Sequence, residues 1–321
     1  MPRTIIYVII PVFLLTFWAC RQDETTELNP AVQQQIALLP ADADVLGFAD
    51  IQSMQKSRFF DFITDSLDRE LDNDEDYNAL MQELGLDLKK DLYRFYFAAN
   101  MQEEDSLNVL LVLDGNFQQD KILAKIEEKS RPNEITKTDF GPFTLYSFQK
   151  NKAFAFINNK SLVAGSENWV RVYLKKRSGA QPDLSPQIQE QLKTLPFKDQ
   201  SWLLARVGQW TKKMEQKSDH PRLKGLSSLQ NIALSIKADD HLRFFGLGRF
   251  DDEEKCELFY DAFKGLLAAA KLTLSEDRTV VDILNSIRVN NDGKQIRMQF
   301  DFNREDLQKL LESKHTLATK I

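Results

Sequence analysis

The hydrophobic positions along the chain follow two periods, and these predict strands that alternate with helices. Short runs of aliphatic and aromatic residues between polar segments are typical of strands. Longer segments carry apolar residues on one face at helical spacing. In the first half the predicted strands are residues 45–49, 92–99, 107–113, 143–148, 153–157 and 161–164. The predicted helices there are residues 50–71, 77–84, 117–128 and 167–176.

A similar succession of elements begins again near residue 195. Asn291-Asp292-Gly293 lies between two apolar runs, a pattern that favours a tight turn and predicts a hairpin. The predicted strands of this second half are residues 201–207, 231–237, 242–247, 284–289 and 295–302. Its predicted helices are residues 208–217, 252–271 and 304–311.

Both halves therefore predict the element order β-α-β-β-α-β, which is that of a split βαβ, ferredoxin-like module. Leu39-Pro40 stands before the first strand of one half, and Leu195-Pro196 stands before the first strand of the other. We predict an α+β fold of two tandem ferredoxin-like modules with appended strands and a helix. The predicted modules occupy residues 38–178 and 179–321.

The beginning of the chain has a different character. Arg3 precedes an apolar run at residues 5–18, which is shorter than the roughly 20 residues of a membrane-spanning helix and fits a secretory signal peptide. The run ends at Ala19-Cys20, and a polar segment follows. We predict a signal peptide and then a tether, at residues 1–19 and 20–37.

Ala19-Cys20 after such a run resembles the lipobox of bacterial lipoproteins. The resemblance implies that Cys20 is acylated, becomes the mature N-terminus and anchors the protein to a membrane. The alternative is an uncleaved N-terminal helix in which Cys20 has no role. Either arrangement predicts that the rest of the chain lies outside the cytoplasm.

Two features near the cysteine indicate the outer membrane as the more favoured address. Arg21 stands where an Asp directs lipoproteins of familiar systems to the inner membrane, and Asp23-Glu24 resembles the acidic export tags of surface lipoproteins.

The Leu-Pro-Ala-Asp-Ala-Asp segment from Leu39 and the repeated layout resemble poorly characterised envelope lipoproteins built of α+β modules. That resemblance assigns no catalytic residue. It leaves an envelope protein or a polysaccharide as a possible partner, besides the membrane itself.

Composition excludes several classes of protein. A net charge of −6 and a pI near 5.3 argue against nucleic acid as a partner, because phosphate binding requires concentrated Lys and Arg. Two cysteines and three histidines are too few for a disulfide scaffold and make a structural zinc site improbable. The chain has no phosphate loop and no G-x-S-x-G nucleophile motif. We predict no cofactor and assign no catalytic residue.

The histidines and Cys256 carry the side chains that most often act as bases or nucleophiles. His220, His241 and His315 lie in polar stretches, and Asp240-His241 falls in a predicted hairpin connection, where a solvated turn is favoured over a catalytic base. Cys256 lies on the apolar face of its predicted helix, which indicates a buried thiol rather than a nucleophile.

One stretch has the spacing of a calcium-binding loop. The acidic residues occupy positions one, three, five and twelve of an EF-hand-like segment, and Tyr77 stands where that loop requires Gly. An acidic loop that caps the following helix explains the same residues without a metal. The weak calcium candidates are Asp72, Asp74, Asp76 and Glu83.

Charge is unevenly distributed. Residues 65–105 hold thirteen acidic and four basic residues, a net of −9, whereas residues 171–224 hold twelve basic and five acidic residues, a net of +7. Such runs can steer a charged partner. The function that we predict is a non-catalytic binding or structural role in the envelope, and the alternative is an envelope hydrolase with a carboxylate-based site. The basic positions predicted to be exposed are Lys175, Lys176, Arg177, Lys212 and Lys213.

Overall fold

A computed structural model describes residues 27–57, 59–60, 87–100, 107–129, 134–148, 151–179, 184–217, 226–275 and 278–306. Its strands form a single 12-stranded antiparallel sheet in the order β11-β12-β10-β9-β8-β1-β2-β3-β7-β6-β5-β4. The strands are β1 Val45–Asp50, β2 Leu92–Ala99, β3 Val109–Gly115, β4 Ile135–Phe140, β5 Phe143–Phe148, β6 Lys152–Asn158, β7 Ser161–Ser166, β8 Ser201–Arg206, β9 Leu229–Ala238, β10 Leu242–Phe250, β11 Arg288–Asp292 and β12 Gln295–Phe302.

Helices connect these strands and pack on both faces of the sheet. A short 3-10 turn, Leu226–Ser228, precedes β9. The helices are α1 Pro30–Ala37, α2 Ile51–Met54, α3 Leu88–Asp91, α4 Gln119–Lys129, α5 Glu167–Ser178, α6 Pro186–Lys193, α7 Gly208–Lys217, α8 Glu253–Thr273 and α9 Arg278–Ser286.

Alternation along the strands divides the buried residues between the two faces. The larger core lies on one face, where Val32 and Ile36 of α1 and Trp169 and Tyr173 of α5 cover the sheet. The opposite face has two smaller cores, one under α4 and one under the first half of α8. The sheet is therefore a central layer between helices, as its apolar residues on both faces require.

The two halves of the chain meet where β1 pairs with β8 at the centre of the sheet. Phe48 of β1 lies with its ring centroid 5.3 Å from that of Tyr96 and 5.9 Å from that of Trp202, which belongs to the second half. All three side chains belong to the same core. The halves thus share one core and one continuous sheet.

The predicted α+β class is confirmed, but the two tandem ferredoxin-like modules are not. A split βαβ unit separates its first two strands by a third strand, whereas β1 pairs directly with β2 and β8 pairs directly with β9. Each half instead begins with three strands that are neighbours in chain order. The order of elements alone does not fix which strands pair.

Four shorter elements differ from the predictions. The predicted tether extends to residue 37, yet α1 occupies its end and buries Val32 and Ile36, so the packed structure begins earlier. Asn29 caps this helix and Pro30 fills its first turn, a start signal that the sequence carries. The strand predicted from residue 284 begins at Arg288, because α9 continues to Ser286. Strand β4 and helix α6 were not predicted.

Candidate binding cleft

A cleft of about 470 Å³ lies between the second half of α8 and the edge strand β11. This volume is in the range of small-molecule sites. Its apolar lining is Leu267, Ala268, Ile287 and Val289, and its polar lining is Lys264, Lys271, Arg288 and Asn290.

Helix α8 changes character along its length. Asp252 caps it by accepting a hydrogen bond from the Lys255 backbone N–H at 3.0 Å, and Cys256 in the first turns is fully buried. In the second half Leu266 is 65% exposed and Leu272 is 77% exposed. The first half therefore anchors the helix to the sheet, and the second half forms one wall of the cleft.

The charged residues that line the cleft are all basic. Lys264 lies over the Tyr260 ring, 5.2 Å from its centroid. Within the described part of the chain, no carboxylate forms an ion pair with Lys264, Lys271 or Arg288. The acidic residues of α8 all precede residue 262. Three cations thus line the cleft beside its apolar residues, and none of them has an ion-pair partner among the described residues.

The lining also restricts the chemistry of the cleft. None of its eight residues carries a carboxylate, imidazole, hydroxyl or thiol group. These are the groups that act as general bases or nucleophiles in most enzymes, although a lysine can do so when its pKa is lowered. The lining suits the binding of an anion better than the activation of water.

A second set of polar residues forms a ladder across four neighbouring strands. In register, Asp50 lies opposite Arg94, Arg94 opposite Asp114, and Asp114 opposite Ser161. Arg94 Nε is 3.0 Å from Asp50 Oδ2, and the Ser161 hydroxyl donates to Asp114 Oδ1 at 2.6 Å. We call this set the polar ladder.

Burial changes the pKa values of groups in and beside the polar ladder. It raises the pKa of Asp114, although the hydrogen bond from Ser161 and the charges of Arg94 and Arg177 act in the opposite direction. Burial also raises the pKa of the neighbouring Tyr96, and the Asp114 charge adds to that effect. A carboxyl with a raised pKa is a common feature of active sites, and structural ion-pair networks show it as well.

The residues singled out in the sequence lie in separate places. Cys20 and the calcium candidates Asp72, Asp74, Asp76 and Glu83 lie outside the described residues, as do His220 and His315. His241 lies in the β9–β10 connection, where its Nδ1 is 2.7 Å from Asp301 Oδ1 in an exposed pair. Cys256 is buried as predicted, and burial raises the pKa of its thiol. Within the described ranges, no three His, Cys, Asp or Glu side chains group as a metal site requires.

The basic positions predicted to be exposed are not alike. Lys176 is half-buried and donates to the backbone carbonyls of Ala37 and Leu39 at the C-terminal end of α1. Burial lowers the pKa of this lysine. Arg177 is exposed and donates to Gln35 at 3.3 Å, and Lys175 and Lys212 are exposed as predicted. The side chain of Lys213 lies outside the described residues. Lys176 therefore belongs to the fold, which corrects its prediction as an exposed partner-binding residue.

Sequence reasoning missed both the cleft and the polar ladder. The one signal for the cleft is the absence of acidic residues from Ala262 to Thr273, a segment that contains two lysines. Arg288 lines the cleft together with Lys264 and Lys271 only because the chain returns to α8 after α9. The polar ladder depends on strand register, which has no signature in the sequence.

The described residues define an α+β protein with one broad antiparallel sheet. No family model and no curated protein matches the chain. A structure of crystal form III of TP0453 is similar, with a TM-score of 0.51 at 12% identity, and the match covers 87% of this chain and 97% of that one. Crystal form IV of TP0453 gives a TM-score of 0.49 at 12% identity, over 89% of this chain and 97% of that one.

At this identity the match to form III indicates a similar fold and carries no residue role. A further finding concerns the helices. Of those in the described part of the chain, none combines the length and the apolar character that a bilayer crossing needs.

Proposed function

We propose that the protein is a lipid-anchored cell-envelope protein with a non-catalytic binding role. The observation that carries the binding role is the cleft between α8 and β11. Its cations lack ion-pair partners among the described residues, and its floor is apolar. Uncompensated charge beside apolar surface favours a partner that supplies the opposite charge.

The anchor rests on the leader and on Ala19-Cys20. Cys20→Ser should abolish incorporation of a labelled fatty acid and leave unprocessed precursor, because the thiol is the proposed acceptor of the lipid. The measurement is labelling in cells, with Cys256→Ser as the matched control, which should label like the wild type. Equal labelling of Cys20→Ser and wild type would remove the anchor from the proposal. Fractionation of the same cells tests the proposed outer-membrane address.

We also propose that the two halves are equivalent modules. In each half three consecutive strands are followed by a helix, and a later strand pairs with the third, which is β7 on β3 and β12 on β10. The strands beyond these four are β4, β5 and β6 in the first half and β11 in the second.

The alternative is an envelope hydrolase that uses carboxylates, and Asp114 is the observation that favours it. Its raised pKa resembles that of a general acid. The register of the polar ladder supports a structural role instead, because each member lies opposite the next on a neighbouring strand.

One experiment separates the two functions. It compares the wild type with two variants, Lys271→Glu/Arg288→Glu and Asp114→Asn. For each protein we measure the affinity capture of a partner from crosslinked membranes and the turnover of envelope substrates. The binding role predicts that the double reversal loses capture and that Asp114→Asn keeps it. Turnover that survives the double reversal and is lost in Asp114→Asn would support the enzyme.

A further inference from the structure

The charge of the cleft indicates the first part of its ligand. Lys264, Lys271 and Arg288 all line the cleft, and none of them forms an ion pair within the described residues. Cations that line one cleft without an ion-pair partner among the described residues favour an incoming anion. Arg288 adds a planar fork of donors that fits a carboxylate or a phosphate.

The apolar residues of the cleft indicate the second part of its ligand. Leu267 and Ala268 of α8 face Ile287 and Val289 across the opening. An inorganic anion would leave this apolar strip in water, whereas an aliphatic chain would cover it at a gain of roughly 25 cal/mol per Å². The strip lies between one helix and one strand, which suits a single chain better than a pair.

We propose that the cleft between α8 and β11 binds an anionic amphiphile with one aliphatic chain, such as a long-chain fatty acid. Lys271 and Arg288 hold the acidic head group, and the chain lies on Leu267, Ile287 and Val289. This assignment rests on the binding role proposed above and specifies the ligand of that role. A carboxylate and a phosphate monoester share the head-group chemistry, and both fit the assignment.

The test uses the full chain reconstituted in phosphatidylcholine vesicles. A photoactivatable fatty acid is the probe, the fatty alcohol of the same chain is its neutral match, and a single-chain lysophosphatidate is its phosphate match. Crosslinked peptides are mapped by mass spectrometry. We expect either acidic probe to label peptides of α8 and β11 about tenfold more than the alcohol, the effect of about one charge-assisted hydrogen bond.

Variants locate the head group and the chain separately. Lys271→Glu/Arg288→Glu should reduce labelling of these peptides about tenfold, and Leu267→Gln should reduce it with all three cations kept. Lys152→Glu/Lys160→Glu is the matched control, because it makes the same charge change at two exposed positions of the β6–β7 hairpin. It should leave labelling unchanged.

Several results would overturn the assignment. Equal labelling by acid and alcohol would remove the role of the cations. Displacement of the probe by micromolar inorganic phosphate would indicate a simple anion site. Labelling confined to Leu266 and Leu272 would place the outer surface of α8 on the bilayer. If labelling fails while capture of a partner still requires Lys271 and Arg288, the ligand class is wrong and the binding role stands.

Discussion

The polar ladder and the cleft both contain arginine, and they differ in what surrounds it. Arg94 lies between two aspartates on adjacent strands, with Asp50 at 3.0 Å, so its charge is balanced inside the fold. Arg288 lies at a sheet edge beside two lysines and has no ion pair within the described residues.

This difference separates a structural role from a binding role. Removal of one member of a half-buried ion pair lowers stability, because it leaves the other member in an unfavourable environment without its counter-charge. An exposed charge without a partner contributes little to stability and is available to a ligand. The same residue type therefore has opposite expected consequences when it is replaced in the two regions.

The largest expected effect is in the polar ladder. Arg94→Met should lower the free energy of unfolding by about 2 kcal/mol, because Asp50, whose side chain is only 15% exposed, loses its ion pair. Chemical denaturation measures the change. Arg288→Met is the matched control and should change stability by less than about 0.5 kcal/mol. Equal losses in the two variants would abolish the distinction between the regions.

A smaller effect is expected at two neighbouring lysines of α5. Lys176→Met should cost about 1 kcal/mol, because the carbonyls of Ala37 and Leu39 lose their donor at the end of α1. Lys175→Met, one position earlier and exposed, should be close to neutral. Thermal or chemical unfolding of the two variants measures this difference in stability. A neutral Lys176→Met would mean that water replaces the lysine at the helix end.

Local elements were predictable because their signals are local. Residues 92–99 and 208–217 were predicted with the bounds of β2 and α7, since their apolar periods are clear. Strand β4 was missed because four of its six residues are exposed at the edge of the sheet, which gives no alternation. The short helices α1 and α6 carry few apolar positions, and only Asn29-Pro30 and Ser185-Pro186 indicate where they begin.

Strand pairing and the sites were not predictable for a different reason. The pairing of β1 with β8 joins segments about 150 residues apart and depends on the shared core of Phe48 and Trp202. The polar ladder requires the register of β1, β2, β3 and β7 to be known. The cleft requires the turn of α9, which was predicted in part as a strand. Each depends on contacts between distant residues.

The smallest expected effect is a pH dependence at Asp114. Burial raises the pKa of this carboxyl in the folded state, so the folded state binds its proton more tightly than the unfolded state does. The contribution of Asp114 to stability is therefore greatest below its unfolded pKa of about 4, where both states are protonated. It falls as the pH rises through the raised folded pKa.

Asp114→Asn removes this titration and keeps an oxygen that can accept from Ser161. The free energy of unfolding of Asp114→Asn, relative to the wild type, should therefore increase between pH 4 and pH 7. Ser161→Ala should steepen the decline with pH, because the lost hydrogen bond had lowered the pKa of Asp114. Denaturation at a series of pH values measures both variants. The stability difference between Asp114→Asn and wild type could instead stay constant across this range. That result would show that Asp114 has the same pKa in the folded and unfolded states, so that its burial in the polar ladder does not disfavour its charged form.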